Sequence, residues 1–241
     1  MGTNQTPRKS PKSKKTSAIT TVFFDAGNTL LRPHPSVGHL YARTARRHGV
    51  RLPVSVVEAR FQEAWKGRHS VDKLKNDRAE KLWWKDVVHR VMGEHFTPSA
   101  FRTFFNDLYG SFAHPAHWRL FQDALPTIRA LRQKGRRVAI LSNWDSRLVQ
   151  LSESIGLTRE VDFVMISSLE GLVKPDRRLF HRALKKANAN PEETLHVGDS
   201  LREDYHGATG AGLSALLLDR QGVGPAGVNT IQSLREVLHH T

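Results

Sequence analysis

The 241-residue chain is 39% hydrophobic and 25% charged, carries a formal net charge of +14 and contains no cysteine. These values suit a globular protein with a sizeable core and exclude thiol catalysis, thiolate metal sites and disulfides. No apolar run approaches the ~20 residues that a membrane-spanning helix needs, and the N-terminus lacks the apolar stretch of a secretory signal, so a cytoplasmic location without membrane contact is expected.

Residues 1–18, MGTNQTPRKSPKSKKTSA, carry Arg8, Lys9, Lys12, Lys14 and Lys15 and no acid. So polar a stretch buries too little apolar surface to offset its ordering entropy, and a disordered, solvated tail is expected. Contact with nucleic acid is expected nowhere else in the chain, and in the tail only as the weaker reading, because no aromatic residues are interleaved with its charges.

The first β-rich run is 19–24, ITTVFF, which stops at a carboxylate in the stretch VFFDAGNTLL, from Val22 to Leu31. Residues 34–118 then show no strand. A helix holding Leu40 and Tyr41 ends near Gly49. The spacings Ser55-Val56-Val57-Glu58 and Asp77-Arg78-Ala79-Glu80 read as capping boxes that open two more helices. A fourth starts at Thr97-Pro98 and carries Phe101, Phe104, Phe105, Leu108 and Phe112. Trp65, Trp83 and Trp84 fit the core of such a bundle, and Arg43, Arg46 and Arg47 fit a solvated helix face.

Four further β-rich runs follow, at 137–141, 161–166, 194–197 and 214–218, without the alternation of a half-exposed sheet. Between them lie helical patterns: Leu125, Ile128 and Leu131 before Gly135; Leu148, Leu151 and Ile155 before Gly156; and a helix opened by Pro175. This alternation predicts an α/β fold, a Rossmann-like doubly wound parallel sheet (19–33 and 119–241) into which 34–118 is inserted as a helical domain.

In such sheets sites form outside the carboxyl ends of the strands. There the sequence places Asp25, then Ser142-Asn143, then Lys174 by way of Ser167-Ser168, then Gly198-Asp199-Ser200 with Asp204 following. Each alone has an ordinary reading as a turn, a cap or a solvated charge. Together they bring three carboxylates to one edge, and such a cluster repels itself unless a cation sits within it. Oxygen ligands of this kind suit Mg²⁺ shared with a substrate phosphate.

The motifs, in order, resemble those of the haloacid dehalogenase-like hydrolases, a superfamily made mostly of phosphatases. Asp25 and Thr29 match its strand followed by D-x-D-x-T, Ser142 its second motif, Lys174 in the setting K-P-D its third, and Gly198-Asp199 with Asp204 its fourth. The insertion 34–118 falls where that family carries its cap domain. His114 to Trp118 (HPxxW) and Ser142 to Asp145 (SNWD) further resemble the domain-containing protein 3 group. The resemblance implies Asp25 as nucleophile and Thr29 as the residue that orients its loop. Ser142 would hydrogen-bond a phosphoryl oxygen, Asn143 beside it belongs to the same catalytic set, and Lys174 would balance charge. Mg²⁺ would be held by Asp25, the Gly27 carbonyl, Asp199 and Asp204, and the substrate would be a small phosphorylated compound.

One position departs from the pattern. The family's phosphatases carry a second aspartate, their general acid, where this chain has Gly27. Three readings follow: a phosphatase limited to good leaving groups or using another donor, a metal-independent 2-haloacid dehalogenase, or a non-catalytic binding protein. His34, His39 and His69 are the candidate donors, each read first as a surface histidine. Retention of Asp199 and Asp204 disfavours the dehalogenase, and retention of Asp25, Lys174 and Asp199 disfavours the binding protein.

Overall fold

The computed structural model describes residues 18–66 and 76–241; the basic tail up to Ser17 and His69 lie outside them. In chain order the strands are β1 Thr21–Phe24, β2 Leu31–Pro33, β3 Trp118–Leu120, β4 Arg137–Ser142, β5 Phe163–Ile166, β6 Thr194–Gly198, β7 Ser214–Leu218 and β8 Thr230–Ile231. The helices are α1 Val37–Arg47, α2 Val54–Lys66, α3 Asp77–Met92, α4 Pro98–Ser111, α5 Ala124–Gln133, α6 Arg147–Ser154, α7 Ser167–Glu170, α8 Arg177–Ala187 and α9 Gly207–Gly210.

Six strands form one parallel sheet in the order β5-β4-β1-β6-β7-β8. Its residues alternate between two apolar layers, as a sheet covered on both faces requires. Val22, Phe24, Val138 and Ile140 pack with Ile128, Leu131, Leu148 and Leu151 of α5 and α6. Phe23, Ala139 and Leu141 pack with Leu179, Phe180 and Ala183 of α8 on the other side. All five predicted strands are present, and the direction of strand addition switches between β1 and β6, which opens a crevice at their carboxyl ends.

Between β1 and β4 the chain leaves through β2 and returns through β3, which pair antiparallel as Leu31 with Leu120 and Pro33 with Trp118. The helices α1–α4 between them bury a core of their own around Tyr41, Phe61, Val87, Val91, Phe101, Phe104 and Leu108. Thr97 caps α4 with Pro98 in its first turn, as predicted. The two capping boxes are not formed. Helix α2 already begins at Val54, after Pro53, and Glu58 instead accepts from Ser36 Oγ and Gly38 N at 2.8 and 2.7 Å, tying α2 to the start of α1. Helix α3 is capped by Asn76, whose side chain accepts from Ala79 N at 2.9 Å, and Glu80 is turned inward and buried. Helix α8 starts at Arg177 under an Asp176 cap rather than at Pro175, since a proline donates nothing and Asp176 accepts from Arg178 N at 2.9 Å. Among the described residues no helix is long and apolar enough to cross a membrane.

Candidate active site

The carboxyl ends of β1, β4 and β6 converge. Strand β1 delivers Asp25, whose N–H donates to Val197 O of the neighbouring strand at 2.9 Å. Strand β4 ends in Ser142, whose hydroxyl donates to Asp25 Oδ1 at 2.9 Å. Lys174 arrives from the segment after β5 and is 1% exposed. Its Nζ donates to Asp25 Oδ1 at 2.7 Å, Leu141 O at 3.0 Å and Asp204 Oδ1 at 2.5 Å. Both hydrogen bonds that the Asp25 carboxylate accepts among the described residues fall on Oδ1, which leaves Oδ2 without one.

Asn143 sets where that lysine comes from. Its Oδ1 accepts from Lys174 N at 2.7 Å and its Nδ2 donates to Lys174 O at 2.9 Å, a two-point clasp on the lysine backbone. Asp204 sits in a π-helical turn after β6, where its Oδ2 accepts from Ser200 N at 3.0 Å. A β-carbon on Gly198 would lie 2.2 Å from Asp204 Cγ, so only glycine lets that carboxylate fold back against the strand end. Thr29 is fully buried beneath the loop, its hydroxyl without a hydrogen-bond partner among the described residues. Its carbonyl accepts from Arg220 Nη2 at 3.0 Å.

Charge is out of balance here. Asp25, Asp199 and Asp204 each offer a carboxylate oxygen, all within 4.8 Å of one another, against one ammonium bonded to them among the described residues, that of Lys174. Burial would lower the Lys174 pKa, but Asp204 and Asp25 outweigh it and hold the lysine charged above its ordinary range. Asp204, despite its burial, is held below the usual carboxylate range by Lys174 and His196. Burial pushes Asp25 up, with Lys174 opposing and Asp204 adding to the rise. Enclosure and then the charges of Asp25 and Asp204 push Asp199 up to about 8. Asp199 nonetheless presents exposed surface to the crevice, so water reaches it and repulsion between the acids is the part of its shift that an added cation would remove. Three hard oxygen donors with too little positive charge fit a divalent cation such as Mg²⁺.

The Asp25 end opens into a cavity of about 460 Å³ between the sheet and the inserted bundle, lined by Asp25, Gly27, Asn28, Ser142, Asn143, Asp199 and Asp204 on the sheet side. Neither His34 nor His39 lines it. Trp65, Trp83 and Trp84, read from the sequence as bundle core, pack on that core and also wall the cavity. Gly27 is covered by Trp144, whose Cζ3 lies 3.3 Å from where a β-carbon would stand.

Several residues here were not singled out from the sequence. His196 is buried in β6 and donates from Nε2 to Asp204 Oδ1 at 2.9 Å; its burial holds it below the ordinary histidine range. A histidine inside the apolar run TLHV is the signal that could have found it. Asp145 is buried and receives a fork from Arg147, with Nε to Oδ1 at 2.8 Å and Nη2 to Oδ2 at 2.6 Å, and the Tyr109 hydroxyl to Oδ2 at 2.6 Å. Glu80, also on the cavity, had been read as a capping residue.

A model of the haloacid dehalogenase-like hydrolases matches residues 19–212. The chain is 33% identical over 220 residues to human haloacid dehalogenase-like hydrolase domain-containing protein 3, covering 88% of this chain and 85% of that one; the mouse protein of that name is 34% identical over 205 residues, covering 81% and 80%. Among solved structures, the putative HAD-hydrolase YfnB from Bacillus subtilis, described as bound to magnesium, superimposes with a TM-score of 0.73 at 18% identity, over 92% of this chain and 98% of that one. The L-2-haloacid dehalogenase RSc1362 gives 0.71 at 19% identity over the same shares, and an HAD phosphatase from Thermococcus onnurineus 0.63 at 21% over 92% and 97%. At such identities these structures speak for the fold, which phosphatases and dehalogenases share. The match of the family model across most of its length places the chain in the haloacid dehalogenase-like hydrolase family.

Proposed function

We propose that the protein is a Mg²⁺-dependent phosphatase-type hydrolase in which Asp25 attacks a small phosphorylated compound. The observation that carries this reading is the trio of Asp25, Asp199 and Asp204 with oxygens within 4.8 Å and, among the described residues, only the Lys174 ammonium bonded to them. Asp25, Asp199, Asp204 and the Gly27 carbonyl would hold the cation, which when bound neutralises phosphate charge and keeps Asp25 ionised. Asp25 Oδ2 forms a bond to phosphorus while the bond to the leaving oxygen breaks, the electron pair departing with the leaving group. Ser142 and Lys174 fix the attacking carboxylate through Oδ1 and offset the charge gathered around it. Water then attacks phosphorus of the aspartyl-phosphate, releases inorganic phosphate and restores Asp25. The bundle α1–α4 acts as the cap that closes the cavity over the substrate.

Gly27 sets the substrate class. General acid catalysis is worth ~10²–10⁴-fold, and Trp144 crowds the position of a β-carbon at residue 27. Leaving groups that depart as stable anions, those of acyl and aryl phosphates, tolerate this loss best. The test compares acetyl phosphate, p-nitrophenyl phosphate and 2-chloropropionate, with Mg²⁺ or EDTA, on wild type and Asp25→Asn. Phosphate release that needs both Mg²⁺ and Asp25 is expected; halide release insensitive to EDTA would replace this reading with a dehalogenase.

A further inference from the structure

On the bundle side of the cavity the lining changes character. Glu80, in the first turn of α3, is 4% exposed, lines the cavity and has an Oε2 without a hydrogen-bond partner among the described residues. The positive group that acts on it is committed elsewhere: the Arg147 guanidinium forks onto Asp145, donates from Nη1 to Tyr109 O at 2.9 Å and lies 3.5 Å from the centre of the Tyr109 ring. Around Glu80 the walls are aromatic. Trp65 and Trp84 stack with centroids 5.7 Å apart and planes 20° apart, and Trp83 meets Trp84 edge-on at 4.9 Å.

The charge pattern selects what such a pocket accepts. Although the chain as a whole is strongly basic, the bundle helices bring two carboxylates to this cavity, Glu58 and Glu80, and of these Glu58 already accepts from Ser36 Oγ and Gly38 N. A buried carboxyl that keeps an unpaired oxygen costs stability until a donor reaches it, and indole faces attract a cation where water is thin. Burial, followed by the charge of Asp145, pushes Glu80 up to about 8, against the opposing Arg147. That is the behaviour of an acid lacking its counter-ion. An incoming carbonyl would satisfy only the protonated acid; an incoming ammonium satisfies the ionised carboxylate.

We propose that this side of the cavity is a leaving-group subsite in which Glu80 receives an amine or ammonium group held against Trp65, Trp83 and Trp84. Joined to the Asp25 chemistry, on which that part of the inference rests, it makes the substrate a phosphate ester or anhydride whose leaving group carries a basic nitrogen.

The test uses probes without phosphate, so that it stands or falls apart from the reaction at Asp25. Isothermal titration calorimetry at pH 7.5 compares tyramine with its uncharged near-isostere 4-ethylphenol on the full chain and on Glu80→Gln. Wild type is expected to bind tyramine at least ~10-fold more tightly, one charge-assisted contact in affinity. Glu80→Gln should bring the ratio to about one while leaving 4-ethylphenol unchanged. Equal affinity of the two probes for wild type, tighter binding of 4-hydroxybenzamide, or a ratio that survives Glu80→Gln would each overturn the proposal. The wild-type ratio decides even if the variant does not fold. Loss of phosphatase activity with the tyramine preference intact would count against the Asp25 reading alone.

Discussion

At the scale of single residues the site is governed by two substitutions the chain could have made and did not. Gly27 has Trp144 3.3 Å from its would-be β-carbon, a separation that an aspartate can enter only by pushing the indole aside. Trp144 also packs on Trp118 with centroids 5.1 Å apart, so the shift is resisted. Gly27→Asp is therefore expected to cost about 1–2 kcal/mol of stability, yet to raise turnover of alkyl phosphates at least ~10-fold relative to acetyl phosphate, because only the poor leaving group needs the proton. Parallel kinetics on the two substrates and a urea melt check both halves. Lys174 makes the opposite case. Among the described residues it is the sole ammonium bonded to Asp25 and Asp204, and Lys174→Met leaves two buried carboxylates unpaired, an expected loss of about 3–5 kcal/mol with activity abolished. The acids can recover by taking up protons, so the loss should be smaller at pH 5 than at pH 8. Denaturant titrations at the two pH values would show a reversed order if the lysine were not the counter-charge.

At the scale of elements, the bundle is tied to the sheet through α4 and α6. Tyr109 of α4 donates to Asp145 Oδ2 at 2.6 Å and lies beneath the Arg147 guanidinium of α6, while Asp77 at the head of α3 accepts from Ser146 N at 3.0 Å. Tyr109→Phe keeps the ring under Arg147 and removes one donor from a buried carboxylate, so it should cost roughly 1–3 kcal/mol. Amide exchange in α4 should quicken more than in the sheet; uniform quickening would mean that the contact does not tie the two together. Most of the sheet could be read from the sequence because strands buried on both faces are apolar throughout, and their polar ends then stand out. That is why Asp25, Ser142, Lys174 and Asp199 are legible as candidates in the sequence. Glu80 and Glu58 were misread because the spacing of a capping box is local, whereas both side chains are claimed by partners or space contributed by other elements. Asp145 and Arg147 gave no local signal: a buried ion pair at i and i+2 looks like any charged loop until the tyrosine from the bundle is placed above it. His196 differs, since its position in an apolar strand marked it as a polar group that needed a partner.

At the scale of the whole molecule, the buried acid in the bundle makes stability depend on pH in a direction opposite to the usual carboxylate. Glu80 titrates near 4.5 in the unfolded chain and about 8 in the folded one, because burial and the charges of Asp145 and Asp77 outweigh the pull of Arg147 and the bond to Trp84. Between those values the folded state binds more protons than the unfolded state, so stability falls as pH rises. The contribution is whole below pH 4.5 and is lost on passing through about 8. Glutamine keeps the shape and the neutral state at every pH. Asp25 and Asp199 also titrate upward-shifted, but they remain in both proteins, and the difference between wild type and Glu80→Gln isolates Glu80. Wild type should therefore lose roughly 2–4 kcal/mol relative to Glu80→Gln between pH 5 and pH 9, measured as the change in unfolding free energy from urea titrations at each pH. A difference that stays constant across that range would mean that Glu80 is ionised throughout and already has a counter-charge inside the folded protein. Tyramine at saturating concentration should shrink the wild-type loss, because an ammonium paired with Glu80 lets the folded state keep the ionised carboxylate without the cost of its burial.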